Sequence, residues 1–124
     1  MSSPLKIDQR SVDGVHIFTL SGHLVAMEGT TALRDAIRSA VAAGARACLI
    51  DLEDVSYVDS AGVGMLVAVF RHVTGRGGQL KLVHPSLCAR RVLGITHLTS
   101  VFDVFDSQAE ALHNLGATAA TRHR

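Results

Sequence analysis

Aromatic side chains are scarce in this 124-residue chain: they make up 4% of it, with no tryptophan and one tyrosine. A platform for stacking the bases of a single nucleic-acid strand is therefore not expected. Neither sign of charge is in excess, because 12 basic residues meet 11 acidic ones for a formal net charge of +1. That balance offers no strong attraction to nucleic acid or to an anionic membrane. Long apolar runs are missing too. The longest, Ala61 to Phe70, is about half of the roughly 20 residues a membrane helix needs, so membrane insertion is not expected. No basic-then-apolar leader opens the chain, which argues against secretion. Cys48 and Cys88 are the only cysteines, and their spacing fits neither a CxxC motif nor a metal site. They read as reduced core thiols, and the expected compartment is the cytoplasm.

What is present is enough apolar matter for a core. Hydrophobic residues are 48% of the chain, which excludes disorder for the whole, and the length suits one domain. "LKIDQR" and "VHIFTL" alternate apolar and polar residues on either side of Asp13-Gly14, the pair a tight hairpin turn favours. From Thr30 the period changes: Leu33, Ile37 and Val41 recur every four residues, as on an amphipathic helix closed by Gly44. "ACLIDL" is a short apolar run suited to a strand covered on both faces. Leu66, Val69, Phe70 and Val73 mark a second helix that ends near Gly75, after which "GRGG" is a turn and "QLKLVH" a strand. Pro85 is placed to start a third helix with Leu87, Cys88 and Val92 inward and Gly94 as its stop. "VFDVF" is a brief strand, and "SQAE" from Ser107 is a capping box for a last helix that stops near Gly116. Strands alternating with helices imply an α/β domain over residues 1–116. Its sheet is expected to be mixed but mostly parallel, with an N-terminal antiparallel hairpin and about four helices. Residues 117–124 lack periodicity and are expected to be a disordered tail.

The stretch that carries chemistry is "LIDLEDVSYVDSAGVGMLVAVF", where an apolar strand ends in acids and two glycines open a helix around Ser60. Three roles compete for that serine. As a helix cap it would satisfy one orphan amide, worth about 1 kcal/mol. Capping alone leaves Gly62 and Gly64 unexplained, since glycine weakens a helix start. Removing side chains around Ser60 instead lets another molecule approach it. As a hydrolase nucleophile Ser60 is badly equipped, because the elbow motif requires glycine where Val58 stands and no histidine is marked by a motif. As a modified residue it makes physical sense. A helix N-terminus stabilises an anion, and a phosphate adds ≈ −1.5 to −2 charges that a docked partner would feel.

The remaining candidates are weaker. "GRGG" lacks the lysine and spacing of a phosphate loop. Arg71, Arg76, Arg90 and Arg91 fit solvated helix faces, and the histidine spacings match no zinc pattern, so neither a metal nor another cofactor is expected.

At these residues the sequence resembles the STAS domain, in particular the bacterial anti-sigma factor antagonists. The likeness spans roughly residues 5 to 115 in element order. It is sharpest in "LIDLEDVSYVDSAGVGML", similar to the family's strand, acidic loop and D-S-x-G-x-G helix start. The resemblance implies that Ser60 is phosphorylated by an anti-sigma factor that is itself a serine kinase, with Asp59 as its acidic neighbour. It further implies that the unphosphorylated form binds the kinase and frees a sigma factor, and that a metal-dependent serine phosphatase reverses the modification. The partner-binding set expected on this basis is Asp59, Ser60, Ala61, Gly62, Gly64, Asp54 and Glu28. Many antagonists carry a G-x-[LI]-D segment after the second strand; "SGHLVAMEG" places Val25 at the aspartate position, and Glu28 is the candidate substitute. Two rival roles stand beside this one: a STAS scaffold or regulatory subunit in a stressosome-like or lipid-transporter ATPase assembly, and a serine hydrolase.

Overall fold

Asp13 and Gly14 adopt left-handed backbone, with φ of 50° and 81°, and fold the first two strands onto each other. In the computed structural model, residues 4–122 are described, Glu28 and 116–122 through their backbone only. β1 (Lys6–Val12) and β2 (Val15–Leu24) pair antiparallel with Val12 opposite Val15, the two-residue hairpin the sequence implies. The chain continues through α1 (Glu28–Ala42), β3 (Ala47–Val58), α2 (Ser60–Thr74), β4 (Gln79–Val83), α3 (Leu87–Ile95), β5 (Val104–Phe105) and α4 (Gln108–Arg122). A single 3₁₀ turn, Leu98–Ser100, follows α3. The five strands lie in sequence order, and every pairing after the hairpin is parallel. Among the described residues no helix is long and apolar enough to cross a membrane.

The sheet is covered on both faces, which is why β3 reads as nearly continuous hydrophobicity. One face takes Leu33 and Ile37 of α1, Leu66, Val69 and Val73 of α2, and Ala89 and Leu93 of α3 against Phe18, Leu20, Ile50 and Leu82. The opposite face takes Ala111 and Leu115 of α4 against Val15, Ile17, Leu49 and Val83. A polar link joins α4 to the sheet: Asp51, buried, accepts from Gln108 Nε2 at 2.7 Å and from the Glu53 amide at 3.0 Å. The side chain of Leu66 is thus one of the fastenings that hold α2, and Ser60 at its tip, to the sheet.

Several local expectations need correction. Ser86, not Pro85, begins the third helix: its hydroxyl accepts from the Ala89 amide at 3.1 Å and donates to the Val55 carbonyl at 2.6 Å. That cap turns Leu87 outward, 83% exposed, and brings Ala89 and Leu93 inward instead. Cys88 and Val92 are only half-buried, and the helix passes Gly94 to end at Ile95. Cys48 is a core thiol that burial pushes up to about 11, whereas Cys88 is not fully enclosed. "VFDVF" supplies strand only at Val104–Phe105, because Phe102 is drawn into the core beside Phe70, ring centroids 5.1 Å apart. Gly116 does not stop α4, which continues to Arg122. Of the expected disordered tail, 117–122 have helical backbone and 123–124 lie outside the described residues.

Candidate functional site

β3 is twice as long as the apolar run that announced it, and this extension builds the site. Beyond Asp51, where its pairing with β4 ends, β3 continues alone alongside β2. The register slips between Thr19 and Ser21 and again between Gly22 and His23, as bulges do when a strand end is re-aimed. The segment expected as an acidic loop is therefore strand, and Asp54 and Ser56 stand exposed on it. The extension ends with Val58 beside Leu24, and the Asp59 amide donates to the Leu24 carbonyl at 3.3 Å.

Asp59, in extended backbone, is the cap of α2. Its Oδ1 accepts from the Gly62 amide at 2.8 Å, and its Oδ2 accepts from the Ala26 amide at 3.1 Å. One carboxylate thus closes the helix start and ties it to the β2–α1 connection. With the capping role taken, Ser60 is left as the first helical residue. It is exposed, and its hydroxyl has no hydrogen-bond partner among the described residues. Among the described residues no base is hydrogen-bonded to it, in contrast to the paired nucleophile of a hydrolase. The histidine–carboxylate pair His84–Glu53, 2.9 Å apart, is not bonded to it.

The two glycines do different things. A Cβ on Gly62 would meet the Leu24 carbonyl oxygen at 2.2 Å, so its bareness lets α2 seat against the end of β2. A Cβ on Gly64 would meet nothing within 4 Å. Only Gly64 and the exposed Ala61 leave open ground around Ser60; Gly62 is a packing requirement. Val25, in place of the family aspartate, is half-buried between β2 and α1, and Glu28 is the first residue of α1.

Three site features escaped sequence reasoning. Met27 precedes α1 with φ 73° and ψ −112°, a region normally left to glycine, yet its side chain is 79% exposed. Leu87 is equally bare. Between β3 and α3 lies a groove lined by Glu53, Asp54, Ser86, Leu87 and Cys88. Only Ser86 had a legible signal, a serine three residues before an amide it can cap.

The exposed serine beyond a capping aspartate, on a five-stranded mixed sheet, is the setting in which the comparisons with known proteins take their meaning. The STAS domain family matches residues 6–111, and the chain belongs to that family. It is 44% identical over 55 residues to an anti-sigma-B factor antagonist of Bacillus subtilis, covering 44% of this chain and 50% of that protein. An anti-sigma-B factor antagonist of Listeria monocytogenes is 27% identical over 110 residues, 89% of this chain and 95% of that protein. Against the first relatives matched, the chain spans 50–59% of their length. The crystal structure of an anti-sigma factor antagonist from Mycobacterium paratuberculosis superposes with a TM-score of 0.78. It is 27% identical, over 92% of this chain and 97% of that one.

Stability should separate the neighbours at this junction. Asp59→Ala removes the cap and strands the Ala26 amide, so a loss of about 1–3 kcal/mol is expected in urea melts. Ser60→Ala should stay within about 0.5 kcal/mol of the native protein. The glycines should divide as sharply. Gly62→Ala is expected to destabilise by more than about 2 kcal/mol through overpacking, whereas Gly64→Ala should be neutral or stabilising by up to about 1 kcal/mol. Thermal or urea denaturation of the four variants checks both contrasts.

Proposed function

We propose that this STAS protein is a non-catalytic anti-sigma factor antagonist whose binding is switched by phosphorylation of Ser60. In its unphosphorylated form it binds an anti-sigma factor that is a serine kinase, and the sigma factor is released. The kinase transfers a phosphoryl group to Ser60 Oγ and the complex dissociates; a serine phosphatase restores the binding form. The observation that carries this reading is the freedom of Ser60: an exposed hydroxyl, without a hydrogen-bond partner among the described residues, at the first position of α2 beside an aspartate that does the capping. The names of the similar proteins from Bacillus subtilis and Listeria monocytogenes support it.

The chemistry is consistent with a switch that leaves the fold alone. First-turn amides have no intrahelical acceptor and the helix dipole favours negative charge there, so the domain tolerates a phosphate. A docked partner does not. Burying an unpaired phosphate costs desolvation and adds negative charge to a rim that already carries Asp59 and the exposed Asp54. A thousandfold loss of affinity requires only about 4 kcal/mol. Within the proposed partner-binding set, Ser60, Ala61, Gly64 and Asp54 supply exposed contact surface, Asp59 and Gly62 hold the turn that presents it, and Glu28 is the first residue of α1.

Incubation with ATP and an anti-sigma factor kinase from the same organism should add a single phosphate, absent from Ser60→Ala. Calorimetry should then find tight binding for the native and Ser60→Ala chains, partial weakening for Ser60→Asp and roughly thousandfold weakening for the phosphorylated form. Phosphate mapped to another residue, or equal affinities for all forms, would refute the proposal.

A further inference from the structure

Met27 and Leu87, at 79% and 83%, are the two most exposed large apolar side chains among the described residues. Their positions are related by the sheet. Met27 lies in the connection that follows β2, Leu87 opens the helix that follows β4, and Ser60 opens the helix that follows β3, the strand between them. The Ala26 amide beside Met27 is bound by Asp59, and Ser86 beside Leu87 bonds the Val55 carbonyl, so both residues stand along the extension of β3 that leads to Ser60. Neither exposure is accidental in its geometry. Met27 is held at positive φ: its carbonyl accepts from the Thr31 amide at 3.1 Å and from the Thr30 hydroxyl at 3.2 Å, while the adjacent Ala26 amide is bound by Asp59. Leu87 is turned outward by the bond from Ser86 Oγ to the Val55 carbonyl. Strain maintained by surrounding bonds is a mark of functional positions. Glu53 and Asp54 edge the groove beside Leu87, and Asp54 has no ion-pair partner among the described residues.

We infer that Met27 and Leu87 are the apolar anchors of the interface that Ser60 gates. The occupant is a protein surface with two apolar pockets and basic groups placed to meet Asp54. This rests on the antagonist reading above. It adds what recognises the partner, where that reading names only what expels it. A few side chains packed into desolvated pockets carry most of an interface's affinity, and an aliphatic anchor can be one of them, while charges at the rim act mainly on the rate of association. The linkage of Met27 to Asp59 also means that the aspartate capping the switch helix holds one anchor in place.

The test uses the full chain and a purified anti-sigma factor kinase from the same organism. Met27→Gly, Leu87→Ser, the double variant and Asp54→Asn are compared with Ile95→Ser, which removes an exposed apolar side chain at the far end of α3. Met27→Gly accommodates the positive φ, so its melting temperature should not fall. Affinity should nevertheless drop roughly tenfold for each anchor and about a hundredfold for the pair, with Ile95→Ser within about twofold of native. Asp54→Asn should slow association at low salt and lose that effect at high salt. If the kinase phosphorylates Ser60 but both anchors can be removed within a twofold change, the anchor inference is wrong and the antagonist function stands. Equal weakening by Ile95→Ser overturns it as well. If no such kinase phosphorylates Ser60, the antagonist reading fails and the inference with it.

Discussion

The Asp59 carboxylate holds the site together. Its two oxygens serve two amides far apart in sequence, Gly62 at the start of α2 and Ala26, 33 residues before Asp59, after β2. Capping a helix requires one acceptor, and the second bond makes this cap a tertiary joint. The joint can form only because β3 outruns β4 and follows β2 to Leu24, and because Gly62 has no Cβ to strike the Leu24 carbonyl. Long strand, bulged register, bare glycine and capping acid are parts of one arrangement.

Its consequence is a division of labour between adjacent residues. Asp59 carries the local stability, and Ser60 is released from any structural duty. A modification site needs that separation. A serine whose hydroxyl closed the helix could not be phosphorylated without weakening the fold, and binding would then be lost by unfolding instead of by direct opposition at the surface. Under the proposed switch, a phosphate on Ser60 would meet a helix terminus that accommodates anions, while the cost would fall on whatever docks there.

Much of this was legible in the amino-acid sequence. The hairpin follows from Asp13-Gly14, the first two helices from their apolar periodicity, and the place of Ser60 at a helix start from its setting between an apolar strand and two glycines. The rest depended on contacts between distant residues. Aspartate and serine cap equally well, so only the Ala26 amide decides between Asp59 and Ser60. Gly62 and Gly64 look alike until the Leu24 carbonyl is placed beside one of them. The outward turn of Leu87 is set by the bond from Ser86 to Val55, 31 residues apart, against a helical pattern that put Leu87 inside. The strand character of residues 53–58 comes from pairing with β2, which their mixed polar composition does not advertise. Nothing about a methionine announces positive φ.

The most direct measurement is amide hydrogen exchange at Ala26 and Gly62, resolved by NMR, in three forms of the full chain: native, phosphorylated on Ser60, and Asp59→Ala. If Asp59 alone maintains the joint, both amides stay protected in the native and phosphorylated forms and lose protection together in Asp59→Ala. Loss of protection on phosphorylation, or its survival without the Asp59 carboxylate, would contradict a switch that acts at the surface of an unchanged fold.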